Sequence, residues 1–248
     1  MEKIFGIVHM DIAPGQADVF RERAIAALAA ARADLAGTTA YEWFMAEDGE
    51  SCTVIEIYDG PEAVAHHGKM VGQTIAAIRE VAEFHIDFAG EVPDPVIDRM
   101  RKVLGAVDYF GPRFQGKLTA PAAGTVGADA GAMIFAVARW TITPGKEAEF
   151  RALAEEVFAL VDANEPDTIG YEWFLSPDGG KCLTIDVYRN VAGLGAHMKN
   201  AGPTMSRILE LLSESDTRLY GAVPPAVRER FKPELGVRYV APQLQRIM

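Results

Sequence analysis

The stretch Tyr41-Glu42-Trp43-Phe44 recurs as Tyr171-Glu172-Trp173-Phe174, 130 residues further along the chain. The same offset relates many other positions without a gap, so the chain contains two copies of one sequence. Matched pairs include Ile4-Phe5 with Ile134-Phe135, Pro14-Gly15 with Pro144-Gly145, Asp48-Gly49 with Asp178-Gly179, Cys52 with Cys182, and His67 with His197. Beyond them the register slips by one, since Gly90 corresponds to Gly221. A repeat of this length predicts a whole domain rather than one unit of a solenoid.

The repeat also predicts where the domains begin and end. Residues 117–131 are rich in Ala and Gly and show no hydrophobic periodicity, which is typical of a linker. We therefore predict a first domain over 1–116 and a second over 132–248.

The first half of each copy predicts a strand, a helix and a hairpin. Residues 3–12 are largely apolar and indicate a buried strand, and Pro14-Gly15 ends it before apolar residues at helical spacing. Tyr-Glu-Trp-Phe opens a second strand, and Asp48-Gly49 marks a hairpin turn. The third strand alternates, with Cys52, Val54, Glu56 and Tyr58 on one face and Thr53, Ile55 and Ile57 on the other.

The second half of each copy predicts helices and a fourth strand. Pro61 suits the first turn of a helix, which we expect to break near Gly72, where the second copy has Gly202-Pro203. The fourth strand is predicted near 84–92 and 217–223. A tail then follows in each copy, with a helix over Pro95–Leu104 or Pro225–Leu235 and a short extended piece over 107–109 or 237–239.

The predicted order, βαββαβ with a tail, is the ferredoxin-like arrangement, an α+β fold. Its antiparallel sheet carries helices on one face only, so the other face needs cover. We expect the two tandem domains to cover each other and form a pseudo-dimeric α+β barrel.

Composition limits the partners of this chain. The formal net charge is −11, and both nucleic acids and anionic membranes select a cationic surface, so neither is expected as a partner. The N-terminal residues lack the basic and apolar regions of a signal peptide, and no apolar run is long enough to span a membrane. The two cysteines occupy one repeated position, which favours buried free thiols over a disulfide. These features predict a cytoplasmic protein.

The repeated residues resemble the antibiotic biosynthesis monooxygenase family of dimeric α+β barrels. The resemblance rests on strand-Pro-Gly-helix, Tyr-Glu-Trp-Phe, Asp-Gly, Ile-Glu-x-Tyr and a His nine residues after that Tyr, over 3–92 and 133–223. It implies a pocket between the helices and the sheet of each domain, and oxygenation of a quinol or hydroxyaromatic compound without a cofactor. Because family members are usually homodimers of one such domain, this chain resembles a fused dimer. Further pairing of whole chains is left open.

His67 and His197 are the predicted catalytic residues, because theirs is the one histidine position present in both copies. They fall on the apolar stripe of the second helix, where a histidine can act as a base near neutral pH. The alternative is a core histidine bonded to a backbone carbonyl.

A further set of polar and aromatic residues is predicted to bind substrate. The acidic residue could orient the histidine, the tyrosine of the third strand could bind a substrate oxygen, and the second-strand aromatics could line a flat pocket. The alternatives are a salt bridge at the domain seam and ordinary aromatic core. The set comprises Tyr41, Trp43, Glu56 and Tyr58 in the first copy and Tyr171, Trp173, Asp186 and Tyr188 in the second.

No metal site is predicted, since His9, His66 and His85 are not repeated and no metal-ligand spacing occurs. Haem-degrading relatives use an Asn on strand one and a Trp near the end of strand three. Here the positions near Val8 and Ala138 offer no Asn, and Tyr58 and Tyr188 replace the Trp, so haem chemistry is not expected. The function therefore stays open between a monooxygenase, an isomerase on the same scaffold, and a non-catalytic small-molecule-binding or stress protein.

Overall fold

A computed structural model describes residues 3–118, 133–229, 237–241 and 243–247. The chain divides into two compact units. Unit 1 comprises Met1–Tyr109 with Pro242–Met248, and unit 2 comprises Phe110–Ala241.

The secondary structure follows the repeat. In chain order the elements are β1 (Ile4–Ile12), α1 (Ala17–Ala33), β2 (Thr38–Met45), β3 (Ser51–Tyr58), α2 (Pro61–Ile78), β4 (Ala82–Ala89), α3 (Asp94–Leu104), β5 (Ala106–Phe110), β6 (Arg113–Leu118), β7 (Ile134–Ile142), α4 (Glu147–Asn164), β8 (Thr168–Leu175), β9 (Lys181–Tyr188), α5 (Val191–Asn200), α6 (Gly202–Leu209), β10 (Leu212–Gly221), α7 (Pro225–Arg228), β11 (Val237–Ala241) and β12 (Gln243–Ile247). The predicted second tail helix is observed only as α7, because 230–236 lie outside the described residues.

Each unit contains one six-stranded sheet. The order is β12-β2-β3-β1-β4-β5 in unit 1 and β11-β10-β7-β9-β8-β6 in unit 2. The four strands of each βαββαβ repeat pair in antiparallel fashion, with β1 between β3 and β4 and with β7 between β9 and β10. The predicted class, two tandem ferredoxin-like α+β halves, is confirmed. None of the described helices is both long and apolar enough to cross a membrane.

One of the two edge strands of each sheet comes from beyond the end of the other repeat. Strand β6 pairs with β8 in unit 2, and β12 pairs with β2 in unit 1. Without these strands, β2 and β8 would be unpaired edges. In unit 2 the added strand also provides Arg113, whose guanidinium lies 3.2 Å from the buried Glu172 carboxylate.

This exchange differs from the predicted domain boundaries. Residues 110–116, which the repeat assigns to the first domain, lie in unit 2, and Lys117 and Leu118 of the predicted linker belong to β6. The rest of that linker, 119–131, lies outside the described residues. The repeat could not show this, because strand pairing is not contained in sequence similarity between the copies.

The second helix differs between the copies. Helix α2 continues through Gly72, so the predicted break is wrong in the first copy, whereas α5 and α6 are separate helices in the second. A glycine inside a helix costs only about 1 kcal/mol relative to alanine. The Pro203 ring, by contrast, removes a donor and clashes with the preceding turn, so a new helix begins there.

The one-residue slip of the repeat has a structural cause in β10. Its register with β7 shifts between Leu212 and Glu214, which leaves Ser213 as an extra residue in a β-bulge. The β1–β4 ladder is regular from Phe5–Ala89 to Ile12–Ala82. The bulge absorbs the extra residue, so the pairing beyond it is equivalent in the two copies, with Phe5 opposite Ala89 and Phe135 opposite Tyr220.

Candidate functional site

Unit 1 encloses a cavity of about 530 Å³ between the sheet and helices α2 and α3. Most of its wall is apolar, with side chains from β1, β3, β4 and both helices. All four residues of the first copy that were predicted to bind substrate line it, together with His67. Volume and lining are typical of a small-molecule site.

The helix and the sheet bring the polar residues together. Buried positions of α2 include Val64, His67, Val71 and Ile78, which share one face because they are three, four or seven residues apart. On β3, Glu56 and Tyr58 point to the same side because side chains alternate along a strand. The face of β3 that carries Glu56 and Tyr58 is therefore the cavity face, which the sequence had left open.

Glu56 is the centre of this polar group. The Tyr58 hydroxyl donates a hydrogen bond of 2.6 Å to Glu56 Oε2, and Glu56 Oε1 lies 3.9 Å from His67 Nε2. The His67 ring lies edge-on to Tyr41, with 4.6 Å between ring centroids. The carboxylate therefore faces the cavity and has the imidazole as its neighbour, as the orienting role predicted for Glu56 requires.

Gly6 provides the space for this carboxylate. A Cβ atom at Gly6 would lie 3.0 Å from Glu56 Oε2, closer than most side chains tolerate. The second copy has Ala136 at this position, and there the paired residue is the shorter Asp186. Compared with the first copy, the second copy therefore has one more side-chain carbon on its first strand and one fewer on the paired third strand.

Burial perturbs the pKa values of both titratable groups. It raises the pKa of Glu56 to about 7, although the hydrogen bond from Tyr58 acts in the opposite direction. Burial, and to a lesser extent the nearby His66, lowers the pKa of His67 to about 4. Near neutral pH the imidazole is therefore neutral and the carboxyl group is partly ionised, which suits Glu56 to exchanging a proton.

Three buried polar atoms at the cavity have no hydrogen-bond partner among the described residues: His67 Nε2, the Tyr41 hydroxyl and Trp43 Nε1. The equivalent Tyr171 hydroxyl and Trp173 Nε1 in the described part of unit 2 are unpaired too, so the feature that distinguishes unit 1 is His67 Nε2, which lies at a cavity where a ligand or water can supply the missing partner. Burial, followed by the charge of Glu56, raises the pKa of Tyr41, so its hydroxyl keeps its proton as a donor.

The equivalent histidine of unit 2 has a different environment. His197 Nδ1 lies 2.9 Å from Glu165 Oε2 and donates to this buried carboxylate. Asn200 and Thr168 also donate to Glu165, at 2.8 Å and 2.7 Å. Burial raises the pKa of Glu165, but these hydrogen bonds and the charge of His197 outweigh burial. The pKa of Glu165 therefore lies below its usual value. His197 is thereby held in one orientation, unlike His67.

Larger aromatic rings occupy unit 2 near this histidine. Trp140 replaces Met10 and packs edge-on against Trp173, with 5.1 Å between ring centroids. Phe158 replaces Leu28 and stacks on Tyr171 at 6.2 Å. Of the two smaller counterparts in unit 1, Met10 lines the cavity.

The remaining predicted residues of the second copy also come together. The rings of Tyr171 and Tyr188 lie 5.4 Å and 5.3 Å from that of His197. The Tyr188 hydroxyl donates to Asp186 at 3.2 Å. Burial raises the pKa of Asp186 to about 7, while His197 and Tyr188 act to lower it.

Sequence reasoning missed several residues of the site. Gly6, Arg79 and Arg99 approach or line the cavity of unit 1, and the first two are not repeated, since Ala136 and Leu209 stand at their positions in the second copy. Glu165 replaces Leu35 at the repeat offset, and Asn200 replaces Met70. A polar pair gained at two positions of one copy was a signal that could have identified the histidine network.

A second titratable cluster lies on the opposite face of the unit 1 sheet. His85, Asp87 and Asp108 each place one potential ligand atom within 4.8 Å of the others. His9 lies beside them, with its Nε2 atom 4.0 Å from Asp87 Oδ2. The spacing in sequence did not predict this grouping, because Asp108 comes from strand β5, beyond α3.

Comparison with known proteins relates part of the second copy to a family. Residues 133–203 match the sequence model of the antibiotic biosynthesis monooxygenase family. The predicted resemblance to this family is confirmed, and the first copy repeats the same sequence and fold. No curated protein matches the chain by sequence.

Two solved structures share the fold over nearly the whole chain. A candidate monooxygenase from Fusobacterium nucleatum is 12% identical with a TM-score of 0.63, and the alignment covers 87% of this chain and 89% of that one. A candidate monooxygenase from Lactobacillus acidophilus is 13% identical with a TM-score of 0.58, covering 88% and 92%. At this identity the likeness shows the fold alone.

Proposed function

We propose that unit 1 is a cofactor-independent monooxygenase site for a quinol or another hydroxyaromatic compound. The observation that carries this proposal is the apolar cavity whose polar groups, Glu56, Tyr58, His67 and Tyr41, gather at one place. A flat aromatic substrate needs such apolar walls, and its hydroxyl needs a proton acceptor. The family match supports a monooxygenase-like reaction.

The reaction balances without an external reductant. A proton leaves the substrate hydroxyl, and the resulting anion passes an electron to O₂ to form a radical pair. This pair combines to a peroxide at a ring carbon, which loses water as the carbon becomes a carbonyl. One oxygen atom enters the product and the other leaves as water, while the substrate supplies both hydrogen atoms of that water.

Within this proposal, Glu56 is the proton acceptor and His67 is the positioning group. Glu56, with a pKa of about 7, can take a proton and return it near neutral pH, whereas His67, with a pKa of about 4, is a weak base. The unpaired Nε2 of His67 can still hydrogen bond to the substrate oxygen. This assignment exchanges the roles that the sequence suggested for the two residues.

Unit 1 rather than unit 2 is the proposed active half. In unit 2 the His197 ring is tied to Glu165, and Trp140 adds bulk where Met10 lines the cavity of unit 1. His67→Ala alone should then remove most of the activity, and His197→Ala should leave it near the wild-type value.

Oxygen consumption and quinone formation over a panel of hydroquinones and polycyclic phenols test the proposal. We expect Glu56→Gln to lower turnover on the order of 10²-fold to 10⁴-fold, the range typical of a proton-transfer group in an active site, and His67→Ala to lower turnover because it removes the group that positions the substrate. His66→Ala is the matched control. His66 is next to His67 in the sequence, but its imidazole pairs with Asp34 at 3.1 Å and does not line the cavity. Unchanged turnover in the double variant of His67 and His197 would exclude both histidines. Binding of phenols without oxygen uptake would instead favour a non-catalytic binding protein, and proton rearrangement of the ligand would favour an isomerase.

A further inference from the structure

The cavity of unit 1 has a second polar region, formed by two arginines. Arg79 follows the last turn of α2, and Arg99 lies on α3; both line the cavity. Apart from His67, these are the cationic side chains among its lining residues, and Glu56 is the acidic one. The arginines are therefore unusual in a wall that is otherwise apolar.

Arg79 lies at the opposite end from the Glu56–His67 group, and Arg99 lies on α3 four residues before Val103, whose carbonyl Arg79 contacts. Arg79 is twelve residues beyond His67 on the same helix, which corresponds to a rise of about 18 Å. On the sheet, Gly6 pairs with Glu56 and Phe88, whereas Met10, four residues further along β1, pairs with Phe84. That spacing is about 13 Å in a strand. Both elements therefore indicate an elongated site with a polar group at each end.

The wall between the two ends is apolar. On the sheet it consists of Val8, Met10 and Ile86, and on α2 it includes Val71 and Ile75. A ligand that filled the cavity would therefore need an apolar body of roughly 13 to 18 Å between its polar groups.

Neither arginine forms an ion pair with an acidic residue among the described residues of unit 1. Arg79 donates to the Val103 carbonyl at the end of α3, which leaves its positive charge uncompensated. Arg99 is exposed and forms no ion pair among the described residues, whereas nearby Arg101 pairs with Asp98 at 3.8 Å. At the repeat offset the second copy has Leu209 in place of Arg79, so the fold does not need a cation there.

We propose that the ligand of this cavity is an elongated hydroxyaromatic acid. Its hydroxyl end lies at Glu56 and His67, its apolar body lies along the sheet, and its carboxylate lies between Arg79 and Arg99. Arginine suits this role because its planar guanidinium stays charged and matches a carboxylate. The identity of the reacting end rests on the proposed function, but the anion-binding end does not.

Calorimetric binding of two matched probes tests the inference. The first probe is a 1,4-dihydroxynaphthalene that carries an alkanoic acid chain of the length given above, and the second is its methyl ester. Both are measured without oxygen, so that binding is separated from turnover. We expect the acid to bind about tenfold more tightly than the ester, as one or two partly exposed ion pairs allow, and to weaken as salt is added.

Arg99→Gln is the decisive variant, because Arg99 makes no contact that the fold requires. It should weaken binding of the acid several-fold and leave binding of the ester unchanged. Arg101→Gln should change the affinity for neither probe. Arg79→Leu, which copies the second repeat, should act in the same direction as Arg99→Gln. The inference would be overturned if the wild type bound acid and ester equally well, or if Arg99→Gln weakened binding of both probes by the same factor.

The same probes separate this inference from the proposed function. If the acid binds through Arg99 but no oxygen is consumed on aeration, the monooxygenase proposal fails and the acid site stands. If quinols without an acid chain are oxidised as fast as the acid, and both probes bind equally, the acid site fails and the monooxygenase proposal stands.

Discussion

Replacing Glu56 with Gln should change how the stability of the protein depends on pH. Glu56 is buried, and burial raises its pKa from 4.5 to about 7. The folded state therefore holds a proton that the unfolded state has already released between these values. The stabilising effect of protonated Glu56 is complete below about pH 4.5 and is lost as the pH rises through about 7. Gln keeps the shape and an acceptor for Tyr58 but does not titrate.

The magnitude follows from the size of the pKa shift. A shift of about 2.5 units at 1.36 kcal/mol per unit corresponds to about 3 kcal/mol above pH 7. Roughly 1 kcal/mol of this loss is already present at about pH 5, because the unfolded carboxyl group has begun to ionise. Between about pH 5 and about pH 8, wild type should therefore lose about 2 kcal/mol of unfolding free energy relative to Glu56→Gln.

Urea unfolding of wild type and Glu56→Gln at both pH values measures this difference. Asp186→Asn provides the comparison in unit 2, where burial also raises the pKa to about 7. The comparison of each variant with wild type at one pH cancels the titration of all other groups. If the free-energy difference between Glu56→Gln and wild type is the same at both pH values, Glu56 has an ordinary pKa and the proposed proton acceptor is wrong.

Two further predictions concern the cavity and the exchanged strands. Met10→Trp, which copies the ring that the second repeat carries, should fill part of the 530 Å³ cavity and weaken binding of any aromatic ligand, as calorimetry would detect; unchanged affinity would mean that the ligand binds elsewhere. The fragments 1–131 and 132–248, expressed together, should form a stable complex in sedimentation experiments, because each carries a strand that pairs in the sheet of the other. Two separate stable monomers would contradict both this strand exchange and the predicted pseudo-dimer.

The repeat made the fold predictable, because it gave two independent patterns for the same strands and helices. The alternation along β3 placed Glu56 and Tyr58 on one face, but it left open which face lines the pocket, and the structure shows that theirs does. What the sequence could not show depends on contacts between distant residues. The pairing of β6 with β8 is one example, because an edge strand accepts any suitable neighbour and its own sequence does not name one.

The resemblance implied a pocket between the helices and the sheet, but its size and lining were beyond sequence reasoning. The lining in unit 1 includes Met10, where the other copy has Trp140. Such a difference is visible when the copies are aligned, but its effect depends on which way each side chain packs. The perturbed pKa of Glu56 likewise follows from burial, which hydrophobic patterning predicts for a face and not for one carboxylate.

The paired positions Gly6–Glu56 and Ala136–Asp186 connect these differences to function. Each pair holds one carboxylate that accepts a hydrogen bond from a tyrosine, and the total number of side-chain carbon atoms is the same in both. The longer acid in unit 1 places its charge one methylene further from the strand, and Gly6 leaves room for it. In unit 2 the shorter acid lies near a histidine that another carboxylate, Glu165, already orients. The duplication has therefore kept one arrangement of residue types, and in unit 1 the carboxylate of this arrangement, Glu56, faces a cavity.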